Sequence, residues 1–320
     1  MAQAAPSSKL VLKQGVIHGF LENFNRSPDN ECLQFIDINC AAQELEQLGK
    51  AADEIKEVVN IDFSNNSLAD ISPLKDLSRI VRLNVANNRI KNMAIFATDE
   101  VFQNLKWLDI SNNKFNAFPA FKCPKLEYLN ISGNKLEKID EGWTGHDKLR
   151  VVVAVDNKFK SLVPFKAMPK LEELYMAQNQ LTSLSGWEAL PALKKLHLRR
   201  NKISKIDEEG LPELPELQYI NLRHNALESL DVVFNLFQFP NIKDINILNN
   251  PVELSTSSFN ILMAEFLIKK PSLDRVCKRK VTEASKMEAV HLAHYRFDKS
   301  EEERKAKLAE EAAAAELENQ

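Results

Sequence analysis

Asparagine recurs at a nearly constant interval through the middle of the chain. Nine asparagines follow one another at spacings of 21–25 residues: Asn66, Asn88, Asn113, Asn134, Asn157, Asn179, Asn201, Asn225 and Asn250. Each ends a segment of the form apolar-x-x-apolar-x-apolar-x-x-Asn-x-apolar, most regular at 126–136, 171–181, 193–203 and 217–227. A short fixed period favours a stack of similar units over separate globular domains.

The repeated segment has the pattern of the leucine-rich repeat, which forms one short strand per turn. Around Asn179, Leu174 and Met176 alternate with Glu173 and Tyr175, so the first pair faces the core and the second faces out. Because a buried amide needs hydrogen-bond partners, we expect Asn179 and its equivalents to bond to the backbone of adjacent turns. The sequence predicts an α/β solenoid of about nine repeats, with parallel concave strands, 3₁₀-like return legs, capping elements and a C-terminal helix.

The chain divides into four expected parts. These are an N-terminal helix and cap over 1–54, repeats over 55–252, a C-terminal cap over 253–280 and a charged helical tail over 281–320. Apolar spacing predicts a helix from Leu10 to Phe24, and 33–38 has the pattern of a degenerate strand. A second helix is expected from Phe259 to just before Pro271. The tail is expected to project as a solvated helix, either as a docking element or as a frayed end.

Signatures of catalysis are missing from the sequence. There is no glycine-rich phosphate loop, GxSxG or HExxH motif, so we expect no enzyme activity, no cofactor and no small-molecule substrate. Glu288, His291 and His294 are the best metal candidates, but a fourth ligand is lacking and a solvated helix face is the expected reading.

Charge and cysteine usage narrow the class of partner and the compartment. A net charge of −3 argues against a nucleic-acid partner. No stretch reaches the length of a signal core or membrane span, so no membrane association is expected. The four cysteines have no paired arrangement around the repeats, which favours a reducing, cytoplasmic compartment.

Function is expected on the concave strand positions, which do not contribute to the core. An aromatic-apolar stretch is followed there by a basic corner, a pattern typical of protein interfaces. The stretch consists of Trp107, Tyr128, Val151, Val153, Val155 and Tyr175, and the basic corner consists of Lys195, His197, Arg199, Arg200, Arg223 and His224. The basic corner favours an acidic partner over an ordinary solvated surface. A one-residue shift of the strand register in repeat five, residues 149–159, would instead bury some of the valines Val151, Val153 and Val155. The predicted protein-binding residues are Trp107, Tyr128, Val153, Tyr175, Lys195, His197, Arg199, Tyr219 and Arg223.

The tract 174–181, followed by 196–203 and 217–223, carries a resemblance to one family. Together with Asn250-Pro251, the cap at 271–274 and the charged tail, it resembles the leucine-rich repeat protein of ciliary radial spokes. The resemblance implies a non-catalytic structural subunit of the axoneme of a cilium or flagellum, held among other axonemal and radial spoke proteins in a large complex. Two alternatives remain at this stage: a regulatory subunit of a protein phosphatase, and a ribonucleoprotein component.

Overall fold

Among the residues that the computed structural model describes, thirteen strands form a single sheet and are joined in chain order. The structure describes residues 11–12, 17–26, 33–49, 51–99, 101–117, 120–137, 143–254 and 258–318. Consecutive strands pair as nearest neighbours, so every repeat contacts mainly the repeats before and after it. This is the predicted leucine-rich repeat solenoid.

The front of the array is closed by a hairpin. Strand β1 (Leu21–Arg26) pairs antiparallel with β2 (Leu33–Asn39), after a 3₁₀ turn at Ile17–Phe20. The helix predicted from Leu10 to Phe24 is therefore wrong where the structure describes it; Leu10 and 13–16 lie outside the described residues. A hairpin supplies backbone partners to the outer edge of β2, which a helix could not do. The degenerate strand predicted at 33–38 is confirmed, because β2 pairs in parallel with the first repeat strand.

Within the described ranges, nine three-residue strands form the repeats, and their register is continuous. Val152 pairs with Leu129 on one side and with Leu174 on the other, so repeat five keeps its phase and the predicted alternative of a slip is wrong. The central residue of every strand is buried, while its neighbours are at least partly exposed in all but the last strand. The strands are β3 (Asn60–Asp62), β4 (Arg82–Asn84), β5 (Trp107–Asp109), β6 (Tyr128–Asn130), β7 (Val151–Val153), β8 (Glu173–Tyr175), β9 (Lys195–His197), β10 (Tyr219–Asn221) and β11 (Asp244–Asn246).

The recurring asparagines connect adjacent turns, as predicted. The Asn179 side-chain amide donates to the carbonyl of Ala154 in the previous repeat at 2.8 Å and to that of Met176 in its own repeat at 3.1 Å. Its oxygen accepts from the Phe159 backbone N–H at 3.1 Å. Equivalent bonds recur along the array, for instance from Asn88 to Phe63. Each amide thus satisfies backbone groups that would otherwise be buried without partners.

The return legs are short and include 3₁₀ turns, as the apolar spacing predicted. These turns occupy Ala51–Glu54, Ser72–Asp76, Ala94–Ala97, Glu208–Gly210 and Asn235–Gln238. One α-helical turn, α1 (Leu230–Phe234), was not anticipated. The interval from Asn225 to Asn250 is among the longest, and its extra residues leave room for this turn. Ser229 caps it by accepting from the Val232 N–H at 3.4 Å.

The C-terminal end combines helices with a second hairpin. After α2 (Pro251–Leu254), the predicted cap helix is confirmed as α3 (Phe259–Lys269). Strand β12 (Arg275–Val276) pairs in parallel with β11, and β13 (Arg279–Lys280) folds back on it. The backbone amides and carbonyls at the edge of β11 are thereby paired.

The charged tail forms the helix α4 (Glu283–Glu318), but it does not simply project from the array. Ala289 is buried and Leu292 packs against the core, while Arg296 forms a two-pronged ion pair with Glu265 of α3. The prediction of a wholly solvated helix was wrong for this half, because sparse apolar residues suffice when α3 provides a complementary face. The boundaries predicted for the four parts of the chain stay a prediction.

Burial makes the described cysteines poor nucleophiles. Cys40, Cys123 and Cys277 are free thiols and buried, whereas Cys32 lies outside the described residues. Burial raises the pKa of Cys40 and Cys123 to about 12 and that of Cys277 to about 11. Within the described ranges, no helix has the length and apolarity needed to cross a membrane.

Candidate protein-binding face

A cation and two aromatic rings lie side by side on β4, β5 and β6. Arg82, Trp107 and Tyr128 occupy the first position of these strands and are paired in register. The Trp107 and Tyr128 rings stack with centroids 5.1 Å apart and 5° between their planes. The Arg82 guanidinium lies 3.7 Å from the Trp107 ring centroid. Stacking and a cation–π contact therefore hold this group in one arrangement.

A second group of rings, the ring ladder of Tyr175, His197 and Tyr219, crosses β8, β9 and β10. Tyr175 and His197 stack at 4.4 Å, and His197 meets Tyr219 at 4.8 Å with a tilt of 42°. The Tyr175 hydroxyl donates to Glu173 at 2.5 Å, and Lys195 donates to the other oxygen of Glu173 at 2.7 Å. The ladder is therefore fixed by stacking and by hydrogen bonds at its edge.

The environment of the ladder shifts its titrations. Burial, followed by the hydrogen bond to Glu173, raises the pKa of Tyr175. Burial is also the main cause of the lowered pKa of His197, which outweighs the opposing effect of Glu173. The lowered pKa favours the neutral form of the His197 ring, which stacks on Tyr175 and contacts Tyr219 at a tilt.

The two ring groups are joined across repeat five by valine side chains. Val151 and Val153 are half-exposed on β7, between Tyr128 on β6 and Tyr175 on β8. The structure thus brings the predicted aromatic-apolar residues together on four adjacent strands. Their use as a binding surface stays a prediction.

Sequence reasoning missed a set of polar pairs on the same face. The Asn84 amide donates to Asp62 at 2.8 Å, and the Asn130 amide donates to Asp109 at the same distance. A signal was available, because Asp and Asn alternate at the third position of four successive strands. These pairs place carboxylates in the N-terminal half of the concave face.

The predicted basic corner separates into two parts. Lys195 is neutralised by its ion pair with Glu173. By contrast, Arg199, Arg200 and Arg223 form no ion pair with any residue that the structure describes. They lie just beyond the ends of β9 and β10, so the unpaired positive charge is concentrated at one edge of the concave face.

The described residues offer no cluster for metal chemistry. Over these ranges, no group of three or more His, Cys, Asp or Glu side chains is placed to hold a metal ion. Glu288, His291 and His294 lie on exposed positions of α4. The concave face carries stacked rings, paired polar groups and arginines without ion pairs among the described residues.

The fold and this face define a repeat protein of the leucine-rich class. The family model "Leucine Rich repeats (2 copies)" matches residues 103–142, 169–213 and 191–235. The chain is a leucine-rich repeat protein.

Among curated proteins, it is similar to human leucine-rich repeat-containing protein 23, with 30% identity over 236 residues. That match covers 72% of this chain, which spans 64% of the length of the human protein. Chicken Tsukushi is 28% identical over 123 residues, covering 36% of this chain and 33% of Tsukushi.

Solved structures show the same fold at lower identity. The TLR13 chain of a TLR13-ssRNA13 complex matches with a TM-score of 0.62 at 17% identity, over 76% of this chain and 38% of that chain. A chain of the LRIM1/APL1C complex matches with a TM-score of 0.54 at 18% identity, over 75% and 47% respectively. At such identities the likeness concerns the solenoid alone.

Proposed function

We propose that this chain is a non-catalytic scaffold subunit that binds a protein partner through its concave face. The observation that carries the proposal is the pair of ring groups, Trp107–Tyr128 and Tyr175–His197–Tyr219. None of these rings belongs to the buried core. Trp, Tyr and Arg are the usual energetic anchors of protein interfaces.

Preorganisation explains how such a face would bind. Each ring is already stacked on a neighbour, and the solenoid fixes the strands at regular intervals. A partner that docks here would immobilise few additional rotors, so burial of apolar area would be converted into affinity more efficiently. The mechanism is therefore recognition of shape and charge by a rigid surface.

The context we propose is the axoneme of a cilium or flagellum, with radial spoke and other axonemal proteins as partners. The resemblance of 174–181, 196–203 and 217–223 to the radial spoke protein supports it. The outer half of α4, beyond the Arg296–Glu265 pair, is available as a second docking element. Free buried thiols agree with a cytoplasmic protein.

Affinity purification from ciliated cells, followed by mass spectrometry, tests this function. The tagged chain is compared with a Trp107→Ala/Tyr175→Ala variant and with Val163→Ala, a control at an exposed return-leg position. We expect spoke and axonemal proteins with the wild type and the control, and their loss with the double variant. Recovery of a phosphatase catalytic subunit or a ribonucleoprotein, without axonemal proteins, would contradict the axonemal assignment.

A further inference from the structure

One backbone position in every repeat adopts a left-handed conformation. The residue before each recurring asparagine has φ between 52° and 64°. Asparagine, aspartate, glycine and histidine tolerate this region best, whereas arginine and glutamine are uncommon there. Arg200 is therefore strained in a place where the scaffold favours asparagine. The nine residues are Asn65, Asn87, Asn112, Gly133, Asp156, Gln178, Arg200, His224 and Asn249.

Arg200 belongs to a cluster of basic side chains that form no ion pair within the described residues, the arginine corner of Arg199, Arg200, Arg223 and His224. The Nε groups of Arg199 and Arg223 are buried and have no hydrogen-bond acceptor in the described part of the chain. Buried N–H groups are normally paired, so neither Nε is satisfied within the described residues, while both arginine side chains remain partly exposed to a partner.

Some arginines outside the corner are paired with carboxylates. Arg150 contacts Glu172 at 2.7 Å, and Arg79 contacts Glu57 at 3.0 Å. The pKa of His224 is lowered by desolvation and then by Arg223, Arg199 and Arg200. The corner therefore has a locally uncompensated positive field that disfavours a further cation.

We propose that the arginine corner binds an acidic segment, through its Asp or Glu carboxylates, in the protein partner that docks on the ring ladder. This inference rests on the proposed scaffold function and names the chemistry of that partner. A guanidinium matches a carboxylate with two parallel hydrogen bonds, which explains arginine rather than lysine at these positions. Arg199 and Arg223 come from adjacent repeats, so an extended acidic segment would reach both.

The neighbouring rings favour a protein ligand over RNA. Single-stranded RNA is held by bases that stack on free aromatic faces. Here His197 stacks on Tyr175 and also contacts Tyr219, so the faces between these rings are occupied. A nearby ion pair between Lys195 and Glu173 further limits the basic area, and the whole chain is acidic with a charge of −3.

Binding of a fluorescent decaglutamate peptide to the full chain tests the proposal, with decaglutamine and oligouridylate as comparison probes. We expect Arg199→Gln and Arg223→Gln each to weaken decaglutamate binding about tenfold, equivalent to roughly 1.4 kcal/mol. Arg79→Gln, which removes the same charge from a paired site, is expected to have no effect. Equal binding by wild type and both corner variants, or tighter binding of oligouridylate than of decaglutamate, would overturn the proposal.

Two further variants separate binding from folding. Arg200→Asn relieves the left-handed strain, so it is expected to raise the thermal midpoint while weakening decaglutamate binding. Gln178→Asn makes the equivalent backbone change without removing a charge, so it is expected to raise the midpoint alone. An unchanged affinity of Arg200→Asn for decaglutamate would argue against binding of carboxylates at the arginine corner. The scaffold function is tested separately. It would be contradicted if variants of the rings still bound the native partner, regardless of the result with decaglutamate.

Discussion

The rings of Tyr175 and His197 stack on neighbouring strands with centroids 4.4 Å apart and 17° between their planes. Their contact follows from the repeat itself, because parallel pairing in register places the third residue of β8 beside that of β9. Glu173 then fixes the phenol through its hydroxyl. A surface ring that would otherwise rotate freely is thereby held in one orientation.

Removing the ring should weaken partner binding more than removing its hydroxyl. Tyr175→Ala eliminates the central stack, and a loss of about 2 kcal/mol, or roughly thirtyfold in Kd, is expected for such an anchor. Tyr175→Phe keeps the stack and loses the bond to Glu173, so a loss near 1 kcal/mol is expected. Calorimetric titration with the recovered partner measures both. Equal affinities for wild type and Tyr175→Ala would contradict the assignment of this ring.

The hydrogen bonds of the recurring asparagines should contribute strongly to the stability of each repeat. Asn179→Ala leaves the Ala154 carbonyl and the Phe159 N–H without their side-chain partner. We expect a decrease of about 3 kcal/mol in the free energy of unfolding. Gln180→Ala deletes an adjacent side-chain amide that is not one of the recurring asparagines, and it serves as the control. Urea unfolding measures both variants. Similar losses of unfolding free energy would contradict a stabilising role for the asparagine hydrogen bonds.

The buried histidine His146 should make stability depend on pH. Its Nδ1 accepts from the backbone N–H groups of Lys148 and Leu149 at 3.2 Å, while Nε2 contacts the Cys123 carbonyl at 2.9 Å. This arrangement requires the neutral ring with its proton on Nε2. Burial is the main cause of the lowered pKa of His146.

The sign of the effect follows from that lowered pKa. Below about pH 6.5 the unfolded state binds more protons at this site, so stability is present above that pH and is lost as the pH falls. Urea unfolding at several pH values should show a decline of at most about 1.4 kcal/mol per pH unit for each such histidine. The lowered pKa of His197 acts in the same direction. His146→Gln should reduce the slope, and an unchanged slope would exclude this site as a cause.

The position of a C-terminal truncation should decide whether the repeats keep their cap. A chain that ends at Phe297 retains α3, both strands of the second hairpin and the packed part of α4, so its unfolding free energy is expected to stay close to wild type. A chain that ends at Ser272 loses the buried residues Leu273, Val276 and Cys277. A loss of about 5 kcal/mol is expected from that burial. Urea unfolding measures the unfolding free energy of both chains. Equal losses in the two would show that β12 does not act as a cap.

The repeats could be predicted because an internal period is a redundant signal. Each asparagine specifies the phase of its own strand, so an irregular copy such as 149–159 is placed by its neighbours. The same signal predicted which residues line the concave face. The ion pair of Lys195 with Glu173 was also accessible, because the two residues occupy equivalent positions in successive repeats.

The ends could not be predicted as well, because they lack a period. The segment ending at Phe24 has helical apolar spacing, yet pairing along the open edge of β2 outweighs that local preference. The contact of α4 with α3 depends on a small buried residue, Ala289, and on the Arg296–Glu265 pair. Neither leaves a pattern along the chain. Unpaired arginines likewise become visible only when every nearby carboxylate is placed.

Site-specific photo-crosslinking in ciliated cells tests the central claim most directly. A benzoylphenylalanine replaces Val153 at the centre of the concave face in one chain and Val163 on an exposed return leg in another. The account predicts that the residue at position 153 captures an axonemal protein and that the residue at position 163 does not. Capture from position 163 alone, or equal capture from both positions, would contradict a concave binding face.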